Sequence, residues 1–148
     1  MNTVKTLNRK RLLTAALQLI PCDLTISNIR LVNVITGEIY PAEVDVIDGI
    51  VVRLRDPGEP LAMASREVFD GQGGYLLPGF IDSHIHVESS MMIPLNLSQA
   101  IVPWGTTTIC SDPHEIANVM GLDGVKFMLE NATLSALRQY VLAPSCVP

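Results

Sequence analysis

The chain is poor in the residues that define several protein classes. Only three of its 148 residues are cysteine and only three are histidine. Cys22, Cys110 and Cys146 lie far apart, form no CxxC pair and are odd in number. That pattern argues against a disulfide framework and for a reducing, cytoplasmic setting. Basic residues are scarce too: 10 Lys and Arg stand against 15 Asp and Glu, a net charge of −5. A nucleic-acid backbone is therefore an unfit partner, while a small neutral or cationic molecule is not. No apolar run reaches the ~20 residues that span a bilayer, so no membrane partner is expected. Charged residues make up 17% and hydrophobic residues 48%. A chain so apolar buries a core rather than staying disordered, and its length suits one or two domains.

Arg9-Lys10-Arg11 precedes an apolar stretch from Leu12 to Ile20. A signal peptide begins this way, but Gln18 interrupts the stretch and no small-x-small cleavage site follows. Leu13, Ala16, Leu17 and Ile20 instead follow the i, i+3, i+4, i+7 spacing of an amphipathic helix. The helix falls within residues 1–22 and ends at Pro21.

Residues 23–75 read as short strands and turns. Val44 and Val46 alternate with Glu43 and Asp45, and Val52 and Leu54 with Arg53 and Arg55. Asp48-Gly49 between them is a hairpin turn signal, and Thr36-Gly37-Glu38 is a second turn. The alternation predicts a small β-sheet module with one solvated face. From 76 to 148 the rhythm changes. An apolar run over Tyr75 to Val87 is followed by a short helix over 94–102 and a β-branched strand over Thr106 to Cys110. A second helix over Gly121 to Ala132 and a strand over Tyr140 to Ala143 complete the pattern. Strand, helix, strand, helix, strand is the order of parallel βαβ units. The methionines, Met91, Met92 and Met128 among them, read as packing residues.

In parallel sheets, function gathers at the carboxyl ends of the strands. His84, His86 and Glu88 follow the first strand, Asp112, His114 and Glu115 the second, and Ser145-Cys146 the third. His84 and His86 are two apart on a strand, so they share a face with Asp82. Two imidazoles on one face are half of a metal site; packed and solvated strand-end histidines are the plainer alternative. Asp82 either orients a ligand ring or accepts backbone hydrogen bonds. Glu88 either touches metal or substrate, or caps the helix that follows. Asp112 either joins the site or caps a helix near Ile116. His114 and Glu115 are suited to contact a substrate or move a proton. Cys146 has no base assigned beside it and is not read as a nucleophile.

Pro78-Gly79-Phe80-Ile81-Asp82-Ser83-His84-Ile85-His86 resembles the first barrel strand of the amidohydrolase superfamily. His86-Val87-Glu88-Ser89-Ser90-Met91-Met92, then Asp112-Pro113-His114-Glu115-Ile116-Ala117-Asn118-Val119, then Pro144-Ser145-Cys146-Val147-Pro148 resemble the adenine deaminase family. The stretch Phe69-Asp70-Gly71-Gln72-Gly73-Gly74-Tyr75 resembles it too. The resemblance implies an α/β fold: a small N-terminal β-sandwich-like module, then the first three βα units of an incomplete TIM (β/α)8 barrel. It implies metal-dependent hydrolysis of adenine to hypoxanthine and ammonia, as in purine salvage. His84 and His86 match the positions that bind the first metal. Beside them, Glu88, His114 and Glu115 are read as the candidate catalytic residues, and Asp82, Ser89 and Asp112 as candidate supporting or substrate-contacting ones. The cofactor implied is a divalent metal, manganese or iron ahead of zinc, with two ions in the complete enzyme. The complete enzyme could be a homo-oligomer. A closed barrel takes ~250 residues, so the chain is expected to be an N-terminal piece, inactive alone. A different amidohydrolase reaction, such as cyclic-amide hydrolysis or deacetylation, and a non-catalytic remnant are the alternatives.

Overall fold

The computed structural model describes residues 8–143. Ser145 and Cys146 lie outside the described residues. The chain divides into two units, one ending at Pro78 and the other beginning at Gly79.

The first unit opens with helix α1 (Arg9–Ala16), followed by strands β1 (Leu24–Asn33), β2 (Glu38–Ile47), β3 (Ile50–Arg55), β4 (Glu67–Asp70) and β5 (Tyr75–Leu76). They form one five-stranded sheet in the order β3-β2-β1-β4, with β5 also pairing with β1. The β2–β3 hairpin turns at Asp48-Gly49, with Ile47 opposite Ile50. Both turn residues have positive φ, 53° and 78°, the geometry that a two-residue hairpin demands and glycine tolerates. The sandwich-like expectation is not met: among the described residues this unit holds a single sheet. The helix supplies the covering layer instead, with Ala15 buried against Cys22 and Ile47, and Leu12, Ile20 and Val52 around them.

Two further expectations need correction. The helix stops at Ala16, five residues before Pro21, because Gln18 adopts a left-handed φ of 59°. Its buried face is also rotated, leaving Leu13 and Leu17 exposed. The face it buries carries Leu12 and Ala15, while Arg11 pairs with Asp48 at 2.9 Å and Asp23 at 3.2 Å. The alternating strands differ from expectation as well. Their charged face is not solvated: the Asp45 side chain is 0% exposed and that of Arg55 1%. Asp45 accepts hydrogen bonds from Thr25 Oγ1 at 2.6 Å, Arg53 Nε at 2.7 Å and Arg55 Nε at 2.9 Å. Glu43 pairs with Arg55 at 2.6 Å. The segment between β3 and β4 joins the network through the Glu59 carbonyl, which accepts from Arg55, and the Ser65 hydroxyl, which bonds with Thr25. Burial pushes the Asp45 carboxyl up, but the hydrogen bonds from Arg55, Thr25 and Arg53 outweigh it and hold it below the ordinary value.

Leu76 also belongs here, since it pairs with Leu31 of β1 rather than starting the next sheet. The second unit contains β6 (Phe80–Ile85), α2 (Pro94–Ile101), β7 (Thr106–Ser111), α3 (His114–Ala132) and β8 (Arg138–Val141). The strands form a parallel sheet in the order β6-β7-β8, so each helix is a crossover. Val87, Leu97, Ile109, Met128 and Leu137 form the core between the strands and the two helices. Asn131 of α3 caps α2 by accepting from Leu95 N at 2.9 Å. Met91, expected to pack, is 97% exposed because it closes the turn after β6 in a left-handed conformation.

α3 begins at His114 rather than near Gly121, and Gly121 breaks it with φ 59° and ψ −144°. Only glycine adopts that backbone readily. Gly121→Ala is therefore expected to cost about 1–3 kcal/mol, read by urea denaturation, although a Cβ there meets nothing within 4 Å.

Candidate metal centre

The end of β6 and the start of α3 bring the candidate residues together. His84 and His86 share a strand face, and their Nε2 atoms lie 3.2 Å apart. Their rings meet edge to face at 4.9 Å. Behind them, His86 Nδ1 is 3.0 Å from the Asp112 carbonyl oxygen. A carbonyl only accepts, so Nδ1 carries the proton and Nε2 keeps its lone pair. That is the tautomer a metal ligand needs, fixed from outside the ligand set. His114 packs edge-on against His86, centroids 4.6 Å apart.

The carboxylates divide by role. Asp82 Oδ1 accepts from the His84 backbone N–H at 3.1 Å, the plainer of its two readings. Glu88 Oε1 accepts from Ile116 N at 3.2 Å, so it caps α3 and not α2, the helix that follows it. Ser89 Oγ donates to Glu115 Oε1 at 2.7 Å. Asp112 does not cap α3; the cap position is Pro113, with no side-chain cap bond. Its carboxylate instead faces His114 Nδ1 at 3.6 Å. Both atoms, Asp112 Oδ1 and His114 Nδ1, are buried without a hydrogen-bond partner. The contribution of the Asp112 carbonyl was not readable in the sequence, because main-chain oxygens leave no signature there.

The donor set fits a divalent cation. Ligand atoms of His84, His86 and Asp112 lie within 4.8 Å of one another, as do those of His86, His114 and Glu115. None of Asp82, Glu88, Asp112 and Glu115 pairs with a lysine or arginine among the described residues. Carboxylates gathered with imidazoles and no basic partner attract a cation, and mixed nitrogen and oxygen donors suit manganese, iron or zinc.

Comparison with known proteins places this geometry in a family. The sequence pattern of the amidohydrolase family matches residues 75–148. Adenine deaminase of Oleidesulfovibrio alaskensis is 44% identical over 128 residues, covering 86% of this chain and 21% of that protein. That of Methanothermobacter thermautotrophicus is 47% identical over 119 residues, covering 80% and 20%. That of Moorella thermoacetica is 42% identical over 139 residues, covering 94% and 23%. The chain thus spans about a fifth of the length of these relatives. Among solved structures, an N-acyl-D-glutamate deacylase from Bordetella bronchiseptica, complexed with zinc and a phosphonate inhibitor, superposes with a TM-score of 0.51. Its identity is 23%, over 62% of this chain and 19% of that one. At that identity the likeness speaks to the fold alone. The paired histidines at the end of a parallel strand and the family match over residues 75–148 together show that the chain belongs to the amidohydrolase family.

Proposed function

We propose that the chain is the metal-binding N-terminal part of an enzyme that hydrolyses adenine to hypoxanthine and ammonia, a purine-salvage reaction of the cytoplasm. The observation that supports it most is the pair of Nε2 atoms 3.2 Å apart, with His86 backed by Asp112. The parallel β6-β7-β8 sheet is then the start of a (β/α)8 barrel, whose site lies at the carboxyl ends of its strands. His84 and His86 hold a divalent metal, manganese or iron before zinc, with a second ion in the complete enzyme. Such an ion lowers the pKa of a bound water from ~15.7 to about 7, which supplies a nucleophile at neutral pH.

The remaining roles belong to the chain's own groups. Asp112 fixes the His86 tautomer. His114 and Glu115 contact the purine and carry protons, with Ser89 holding one Glu115 oxygen so that the other is free for transfer. Asp82 fixes the backbone beneath His84.

The test is a chimera in which this chain replaces the matching segment of the Moorella thermoacetica adenine deaminase. Ammonia release from adenine is expected, and preference for a cyclic amide or an N-acetyl substrate would identify a different amidohydrolase reaction. The isolated chain is expected to release no ammonia from adenine with added Mn²⁺ or Fe²⁺. Turnover by it would refute the need for the rest of the enzyme.

A further inference from the structure

His114 sits on the first turn of α3, a turn whose own sequence supplies no cap. Its cap residue is Pro113, which makes no side-chain bond. First-turn N–H groups need acceptors from outside the helix. Glu88, on the 3-10 turn at Glu88–Ser90, provides one to Ile116 N at 3.2 Å. The next residue, Ser89, donates to Glu115 at 2.7 Å. Consecutive residues of the turn are thus tied to consecutive residues of the helix.

The helical segment they hold also packs on the core through Ile116. Gly121 breaks α3, and of the residues ahead of the break only Ala117 is buried. Gly124 and Met128, the other buried residues of α3, lie beyond it. Core packing at Met128 anchors the second part of α3, while Ile116, Ala117 and the two side-chain bonds together anchor the part that carries His114.

We propose that Glu88 and Ser89 form a clasp that positions His114 against His86, with Glu88 acting as a positioning residue through Oε1 while its buried Oε2 has no hydrogen-bond partner. The proposal deepens the metal-binding reading above and rests on it for its effect on affinity. The test uses the 148-residue chain and two readouts. One is the nuclear Overhauser contact between the His86 and His114 rings without metal. The other is Mn²⁺ affinity by electron paramagnetic resonance.

Glu88→Ala is expected to lose the ring contact and bind Mn²⁺ about tenfold more weakly, the usual scale for a group that orients a ligand. Glu88→Gln keeps an acceptor oxygen, so it retains the contact and binds within about twofold of wild type. Ser89→Ala weakens the contact and binds about threefold more weakly. Retention of the ring contact in Glu88→Ala overturns the clasp. Equal loss of affinity in Glu88→Gln and Glu88→Ala, with the contact intact, overturns it too and makes Glu88 a ligand. If Glu88→Ala unfolds, Ser89→Ala decides, and an unchanged contact and affinity there overturn the proposal. If the wild-type chain binds no Mn²⁺, the metal reading fails, while the ring contact still decides the clasp.

Discussion

Asp45→Ala is expected to destabilise the first unit by about 3–5 kcal/mol, measured as the loss in urea-denaturation free energy. Asp45 is the acceptor on which Thr25, Arg53 and Arg55 converge, and Arg55 is as buried as Asp45 itself. Removing the carboxylate leaves a guanidinium buried with Glu43 as its remaining carboxylate partner. Domains are stable by about 5–15 kcal/mol, so a loss of that size is most of the total for a small one. A change below about 1 kcal/mol would place the network among solvent-screened surface pairs and contradict its burial.

The same network sets an acid dependence. The Asp45 carboxyl is held below its ordinary value in the folded chain. A depressed carboxyl contributes stability that is fully present above the unfolded pKa of about 3.9. That contribution disappears as the pH falls through the lower folded value. The wild type is therefore expected to lose stability below about pH 4, and Asp45→Ala to show a flatter profile there.

His86→Ala is expected to weaken Mn²⁺ binding by about a hundredfold, the effect of removing one donor from a small ligand set. His86 occupies the centre of the cluster. Its Nε2 faces His84, its Nδ1 is tied to Asp112, and its ring packs on His114. Both groups of possible ligands include it. Equilibrium dialysis of the variant against Mn²⁺ checks the expectation. Binding within about twofold of wild type would remove His86 from the ligand set.

What the sequence made legible was mostly periodic or local. His84 and His86 share a face because a strand repeats every two residues. Asp48-Gly49 marks its hairpin because few residue pairs tolerate two positive φ angles. The βαβ order of the second unit followed from alternating apolar periods. What stayed hidden depended on partners distant in sequence. The face of α1 is the one that meets Cys22 and Ile47, and the burial of Asp45 comes from the segment that closes over it. Alternating valines and charges look the same whether the charged face meets water or a buried network. Glu88 caps α3 across 28 positions, so sequence adjacency pointed to the wrong helix. The Asp112 carbonyl, which fixes the His86 tautomer, belongs to no motif of side chains.

The proposed function turns on His84 and His86 jointly holding a divalent cation. A crystal of the chain grown with Mn²⁺ and measured at the manganese absorption edge tests it most directly. The expected result is an anomalous peak in contact with both Nε2 atoms. A fully occupied Mn²⁺ elsewhere, with both imidazoles free, would contradict it.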